Sequence, residues 1–292
     1  MVRIFIVLQC LIGLQTVKAQ LPATDIYITT LIKMNNKLTT GKIQYLSSFN
    51  PDGYNNQAQF FNNGWIYITS DYRDSAFTDI IALNIDKKEF FKVTDTQGIS
   101  EFSPTPIPNS NEFCTVRIER DGKDQSLWEY PLSREHAGKR LFPALKNIGY
   151  FCWLNPTNVA MFLVGDPHQL VIGNTSTEKI QTIATNPGRC LKTDHKSKLY
   201  FVEKILSDIW LLKSYNPTEN TTQAIIKMPT GKEDFTLLPD GTFISALAGK
   251  ILAFHPDKDS GWQMIADLSD ADINNIQRPV YHNGQLLFIN GK

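Results

Sequence analysis

The residue types best suited to chemistry in this 292-residue chain are five histidines, four cysteines and a scatter of carboxylates. His136, His168, His195, His255 and His282 lie far apart. No His-Glu-x-x-His sets two imidazoles on one helix face for zinc. Cys10, Cys114, Cys152 and Cys190 show no Cys-x-x-Cys pair and no cysteine–histidine spacing of a zinc site. There is no Gly-x-Ser-x-Gly nucleophile elbow, no phosphate-cradling glycine loop and no dinucleotide fingerprint. No local motif therefore assigns a nucleophile, a base or a cofactor. Any site has to be assembled from distant segments, so the elements that position them come first.

Composition narrows the class. Hydrophobic residues are 42% and charged residues 20%, which fits a globular chain able to build a core. Basic and acidic residues balance at 29 each, which argues against a nucleic-acid partner. Residues 1–19 read as a secretory signal peptide. Arg3 gives the positive start, Ile4–Leu14 the short apolar stretch, and Val17-Lys18-Ala19 a cleavage site before Gln20. Cleavage removes Arg3 and Lys18 and leaves 27 basic against 29 acidic residues, a net charge of −2. It also removes Cys10, and the odd count left behind implies at least one unpaired thiol. No later apolar run is long enough to span a bilayer, so no transmembrane segment is expected. The reading is an exported protein, periplasmic or secreted, and a monomer.

The body of the chain repeats. Six segments share an extended run, a tight turn and a second extended run: 56–70, 102–116, 150–164, 190–204, 234–248 and 277–290. Asn63-Gly64, Asp240-Gly241 and Asn283-Gly284 supply turn pairs that accept positive φ. Successive turns recur every 39 to 47 residues, and each unit continues with a second pair of short β-rich runs. That predicts an all-β fold, a six-bladed β-propeller over residues 20–292. The blades run over about 48–95, 96–145, 146–186, 187–230 and 231–269, and the sixth joins 270–292 to 24–47. The last unit ends after two strands, and Ile26–Leu31 with Lys42–Leu46 supply the missing pair, closing the ring.

The first unit resembles the TolB-type, WD40-like (PD40) repeat. Asn62-Asn63-Gly64 stands at its turn, Ser70-Asp71-Tyr72-Arg73-Asp74 at its loop, Asp79-Ile80 in its strand and Val93-Thr94 at its exit. The second unit (EFSPTPIPNSNEF) and the fifth (LLPDGTFIS) fit the same repeat, whereas the third and fourth depart from it at the turn. The resemblance implies an exported module that binds a protein or a small ligand without catalysis.

In such a ring the first strand of each blade lines a central channel. This mapping places Asn56, Glu101, Tyr150, Arg189, Asp234 and Gln277 at the channel mouth. Arg73, Asp74, Arg120, Asp121, Asp166, His168, Glu203 and Lys204 fall on the loops of the same face. Converging loops make this mouth the expected binding site. No cofactor is expected. The alternative that the resemblance leaves open is a metal-dependent lactonase or hydrolase with a divalent cation such as Ca2+ in the channel. Glu101 and Asp234, with Asn56 or Asn275, would then be its oxygen ligands.

Overall fold

The computed structural model describes residues 21–35, 37–62, 64–73, 76–133 and 137–292. The expected signal peptide lies outside the described residues. Five antiparallel sheets follow one another along the chain, each with its strands in meander order, and a sixth joins strands from the two ends of the chain. The innermost strands are Asn55–Phe60, Ser100–Pro106, Ile148–Trp153, Pro187–Thr193, Phe235–Leu237 and Ile276–His282. The single helical turn among the described residues is a 3-10 turn at Ser269–Ala271. This is the six-bladed β-propeller that the repeat spacing predicts.

The second strand of each blade explains why alternation is hard to see in the sequence. Trp65–Ser70 sends Ile66 and Ile68 to one side and Tyr67 to the other, and all three are buried. Leu286, Leu287, Phe288 and Ile289 alternate in the same way, with each at or near zero exposure. A strand buried on both faces reads as a continuous apolar run. The core accordingly forms six wedges, one between each pair of neighbouring blades. Phe61, Tyr67, Ile80 and Ala82 meet Phe113 and Tyr130 between blades 1 and 2. Val202 and Leu212 meet Phe235, Phe243 and Phe254 between blades 4 and 5.

Closure follows the expected route. Thr24–Met34 pairs antiparallel with Gln285–Gly291 in a seven-residue register from Thr24↔Gly291 to Thr30↔Gln285. Ile26 and Ile28 join Leu287 and Ile289 against Ala58, Ile66, Ile68 and Leu83 of the first blade. The Thr24 hydroxyl donates to the Asn55 carbonyl at 2.8 Å, and the Asn55 amide returns a bond to it at 3.1 Å. One feature goes beyond the expected pair of strands. The closing strand outruns its partner, and its outer half, Leu31–Met34, folds into a hairpin with Lys37–Thr40. The fourth strand is then only Gln44–Tyr45.

The turns separate into two chemistries. Asn283 (φ 46) and Gly284 (φ 81) are both left-handed, which is the two-residue hairpin turn. At Asp240-Gly241 only Gly241 is left-handed, with φ 87. There the Gly241 amide bonds the Leu238 carbonyl at 3.0 Å, closing a longer loop. Cys114, Cys152 and Cys190 are free, and none of them is exposed. The Cys190 thiol bonds the Phe235 carbonyl at 3.2 Å and so ties blade 4 to blade 5.

The closing strand carries a direct test. Ile26 is fully buried and Ile32, on the same strand, is 38% exposed. Ile26→Ala should lower unfolding free energy by about 2–4 kcal/mol, while Ile32→Ala should stay within about 0.5 kcal/mol. Urea titration of the two variants beside the parent measures both. Equal losses would mean that the strand does not seal the ring.

Candidate functional site

A cavity of about 130 Å³ opens in the channel, and every blade contributes to its wall. Gln57, Ser103, Tyr150, Arg189, Asp234 and Arg278 come from blades 1 to 6 in that order. Local backbone chemistry puts several of them there. In blades 1, 2 and 6 the pairing slips between Asn56 and Gln59, Phe102 and Thr105, and Gln277 and Val280. The extra residue of each bulge is left-handed: Gln57 at φ 50, Ser103 at φ 56 and Arg278 at φ 48. A non-glycine residue in that region costs about 1–2 kcal/mol, so its neighbours have to hold it there. The Gln57 side-chain oxygen accepts the Ser103 amide at 3.0 Å. The Asp234 carboxylate accepts the Arg278 amide at 3.1 Å.

The charged centre is built around Tyr150. Arg278 of blade 6 donates a guanidinium N–H across the channel to the Tyr150 phenol oxygen of blade 3, at 3.2 Å. Its guanidinium lies 5.2 Å from the Tyr150 ring centroid, and that of Arg189 lies 5.9 Å away. Arg189 pairs with Glu233 at 2.5 Å, and Lys204 reaches the other oxygen of that carboxylate at 2.8 Å. Burial pushes the Glu233 pKa up, but Arg189 and Lys204 outweigh it, and the carboxyl ends below its usual range. Arg278 has no carboxylate within ion-pair distance among the described residues. Burial opposes its charge, yet the Tyr150 phenol and Asp234 hold it above the usual arginine range. Tyr54 is buried beside this group, and burial pushes its phenol up to about 12.

Tyr150, Arg189 and Asp234 therefore meet at the channel, as the repeat mapping predicts. Asn56, Glu101 and Gln277 do not line the cavity. Asn56 is buried and turns its side-chain oxygen to the Gln57 amide at 2.8 Å. Glu101 is fully buried, and its backbone stands opposite Arg117 in the sheet register. Gln277 sits one residue before the bulge, and it is Arg278 that faces the cavity. Equivalence between strand starts cannot foresee an inserted residue that changes which side chain turns inward. Arg278, Tyr54, Glu233 and Lys192 are the contributors that sequence reasoning missed. The Arg278-Pro279 pair, matching Ser103-Pro104, is the one signal that could have found the first.

The loop-face residues are mostly engaged locally. Asp121 caps its own turn by accepting the Lys123 and Asp124 amides at 2.9 and 3.2 Å. Glu203 pairs with Lys213. The His168 ring accepts the Gly165 amide at 3.1 Å and rests on Phe162. Asp166 is exposed before a cis bond to Pro167. Arg73 lies over the Tyr72 ring, and the exposed Arg120 covers Gly98. Asp74 lies outside the described residues. Lys204 alone is drawn into the channel cluster.

No protein-family model matches the sequence, and no curated protein matches it. Solved structures match the fold. TolB from Acinetobacter baumannii is 10% identical over 78% of this chain and 60% of that one, with a TM-score of 0.59. The chain is a six-bladed β-propeller similar in fold to TolB. A chain of the nidogen/laminin complex is 11% identical, covering 92% of this chain and 98% of that one, with a TM-score of 0.64. An oligogalacturonate lyase in complex with manganese is 11% identical, covering 85% and 79%, with a TM-score of 0.59. At these identities the likeness shows the propeller alone.

This propeller does not bring Glu101 and Asp234, the carboxylates that the alternative reading would use for a cation, to one place. Asp234 is on the cavity wall, while Glu101 is sealed beside Thr94, Thr78 and Arg117. Among the described residues no three of His, Cys, Asp and Glu stand close enough to hold a metal ion. Glu101 is instead a buried acid. One of its oxygens lacks a hydrogen-bond partner, and burial pushes its pKa from 4.5 to about 7.

That environment fixes the sign of a pH effect. Below pH 4.5 the carboxyl is protonated in both the folded and unfolded chain. Between 4.5 and about 7 the unfolded chain releases the proton while the folded one keeps it, so stability falls as pH rises. Glu101→Gln removes the loss. It should raise the melting temperature at pH 8, by up to roughly 3 kcal/mol of stability, and change little at pH 4.5. Thermal melts of parent and variant across that range test this.

Proposed function

We propose that the protein is an exported binding module that takes its ligand at the channel mouth and does no chemistry on it. The observation that carries this reading is the cavity wall itself, to which each of the six blades gives a side chain. A ring that brings six distant segments to one opening makes a recognition surface that no single blade could make. The wall offers little to a catalyst. Among the described residues no histidine lines it. Burial pushes the thiols of Cys152 and Cys190, which do, to about 11 and about 12, well away from thiolate chemistry at neutral pH. Export rests on the pattern of residues 1–19, and protein recovered outside the cytoplasm should begin at Gln20.

A channel plug tests the location of the site. Thr105 lines the cavity and is half-buried, so Thr105→Trp should fill the opening without entering a core wedge. In a thermal-shift screen of small metabolites, ligands that stabilise the parent should lose their effect in the plugged variant. Ligands that stabilise both equally would place binding elsewhere on the molecule.

A further inference from the structure

The charges on the channel wall specify more than a location. Arg189, Lys192 and Arg278 line the cavity against one lining carboxylate, Asp234. The cations are not equally available. Arg189 is occupied by Glu233 from behind, and Glu233 is shared with Lys204. Arg278 carries five N–H donors, and among the described residues one of them has a side-chain or backbone acceptor, the Tyr150 phenol. Its backbone is held in the left-handed region and its amide is anchored to Asp234. The bond to Tyr150 therefore holds the guanidinium before any ligand arrives, in a residue that lines the cavity. Fixing a charge in advance removes ordering cost from binding.

We propose that this site, resting on the channel-mouth reading above, binds the carboxylate group of a small organic acid, or of a larger ligand that inserts its carboxylate end. The planar fork of Arg278 matches a carboxylate with two parallel N–H···O bonds. The Tyr150 hydroxyl, which accepts from Arg278, keeps its own proton to donate to the same anion. A cavity of about 130 Å³ admits a carboxylate and a few further atoms, so anything larger must extend outward over the loops. Asp234 on the wall sets the selectivity. It repels a second negative charge, which disfavours the phosphate or sulfate dianion relative to a carboxylate monoanion.

The test is titration calorimetry of the protein with sodium acetate and with sodium butyrate, both monoanions, at constant ionic strength. Sodium phosphate, sodium sulfate and a neutral acetamide serve as comparisons. Saturable binding of the carboxylates, about tenfold or more tighter than the inorganic anions, is expected. Arg278→Gln should weaken that binding by about tenfold, and Tyr150→Phe by a smaller factor. Arg278→Lys keeps the charge and loses the fork, so it should not restore the affinity. Lys192→Gln, at a wall position outside the Tyr150 cluster, gives a second variant that separates binding from folding. It should weaken carboxylate binding several-fold with an unchanged melting temperature. Equal affinity for acetate and sulfate, undiminished binding in these variants, or no saturation would overturn the proposal. Its failure is separable from failure of the channel reading. If neutral ligands bind and the Thr105→Trp plug blocks them, the site stands and the carboxylate assignment falls. If carboxylates bind the plugged variant as well as the parent, the location falls too.

Discussion

Packing between neighbouring blades is the interaction on which the whole structure depends. A four-stranded antiparallel sheet has two faces, and in this protein each face of each sheet is apolar. Every sheet therefore needs a neighbour on both sides, and only a closed ring provides one for all six. The N-terminal strand completes that closure. Ile26 and Ile28 fill the wedge between the last blade and the first, and the Thr24–Asn55 bonds fasten the same seam. Without this strand the wedge beside Leu287, Ile289, Ile66 and Ile68 would face water.

The channel is a by-product of that packing, and its chemistry follows from it. Wedge-shaped blades leave their inner strands around an axis too open for side chains to fill completely. The inner strands respond with bulges, and the bulged residues Ser103 and Arg278 turn their amides to side chains of the blade next door. Gln57 serves Ser103 in this way, and Asp234 serves Arg278. The contacts that stitch one blade to the next thus also set the direction of the groups on the cavity wall. Tyr150 and Arg278 reach each other from opposite blades, 128 positions apart, because the ring brings them within 3.2 Å.

The buried polar groups divide by their surroundings. Glu233 is buried, but two cations face it, so it stays ionised. Glu101 is at least as buried, and what surrounds it is mainly hydroxyl and peptide, so its proton is held more tightly. The two residues look alike in sequence, each an acid near the start of an inner strand. Their different behaviour comes from which charges the neighbouring strands happen to present.

The sequence by itself determined the repeat, the strand-rich units, the count of blades and the way the ends join. All of these are local or periodic properties: apolar runs, turn residues such as Asn283-Gly284, and spacing along the chain. It also placed Tyr150, Arg189 and Asp234 at the channel, since a strand start maps to a channel mouth in any ring of this kind. Only the tertiary structure decided that Arg278 rather than Gln277 faces inward, that Glu101 is sealed away from the channel, and that Tyr150 stands between two arginines. The physical reason is the bulge. One inserted residue changes which side chain points to the axis, and whether it forms depends on a hydrogen-bond partner in another blade, which neighbouring residues in the chain do not reveal.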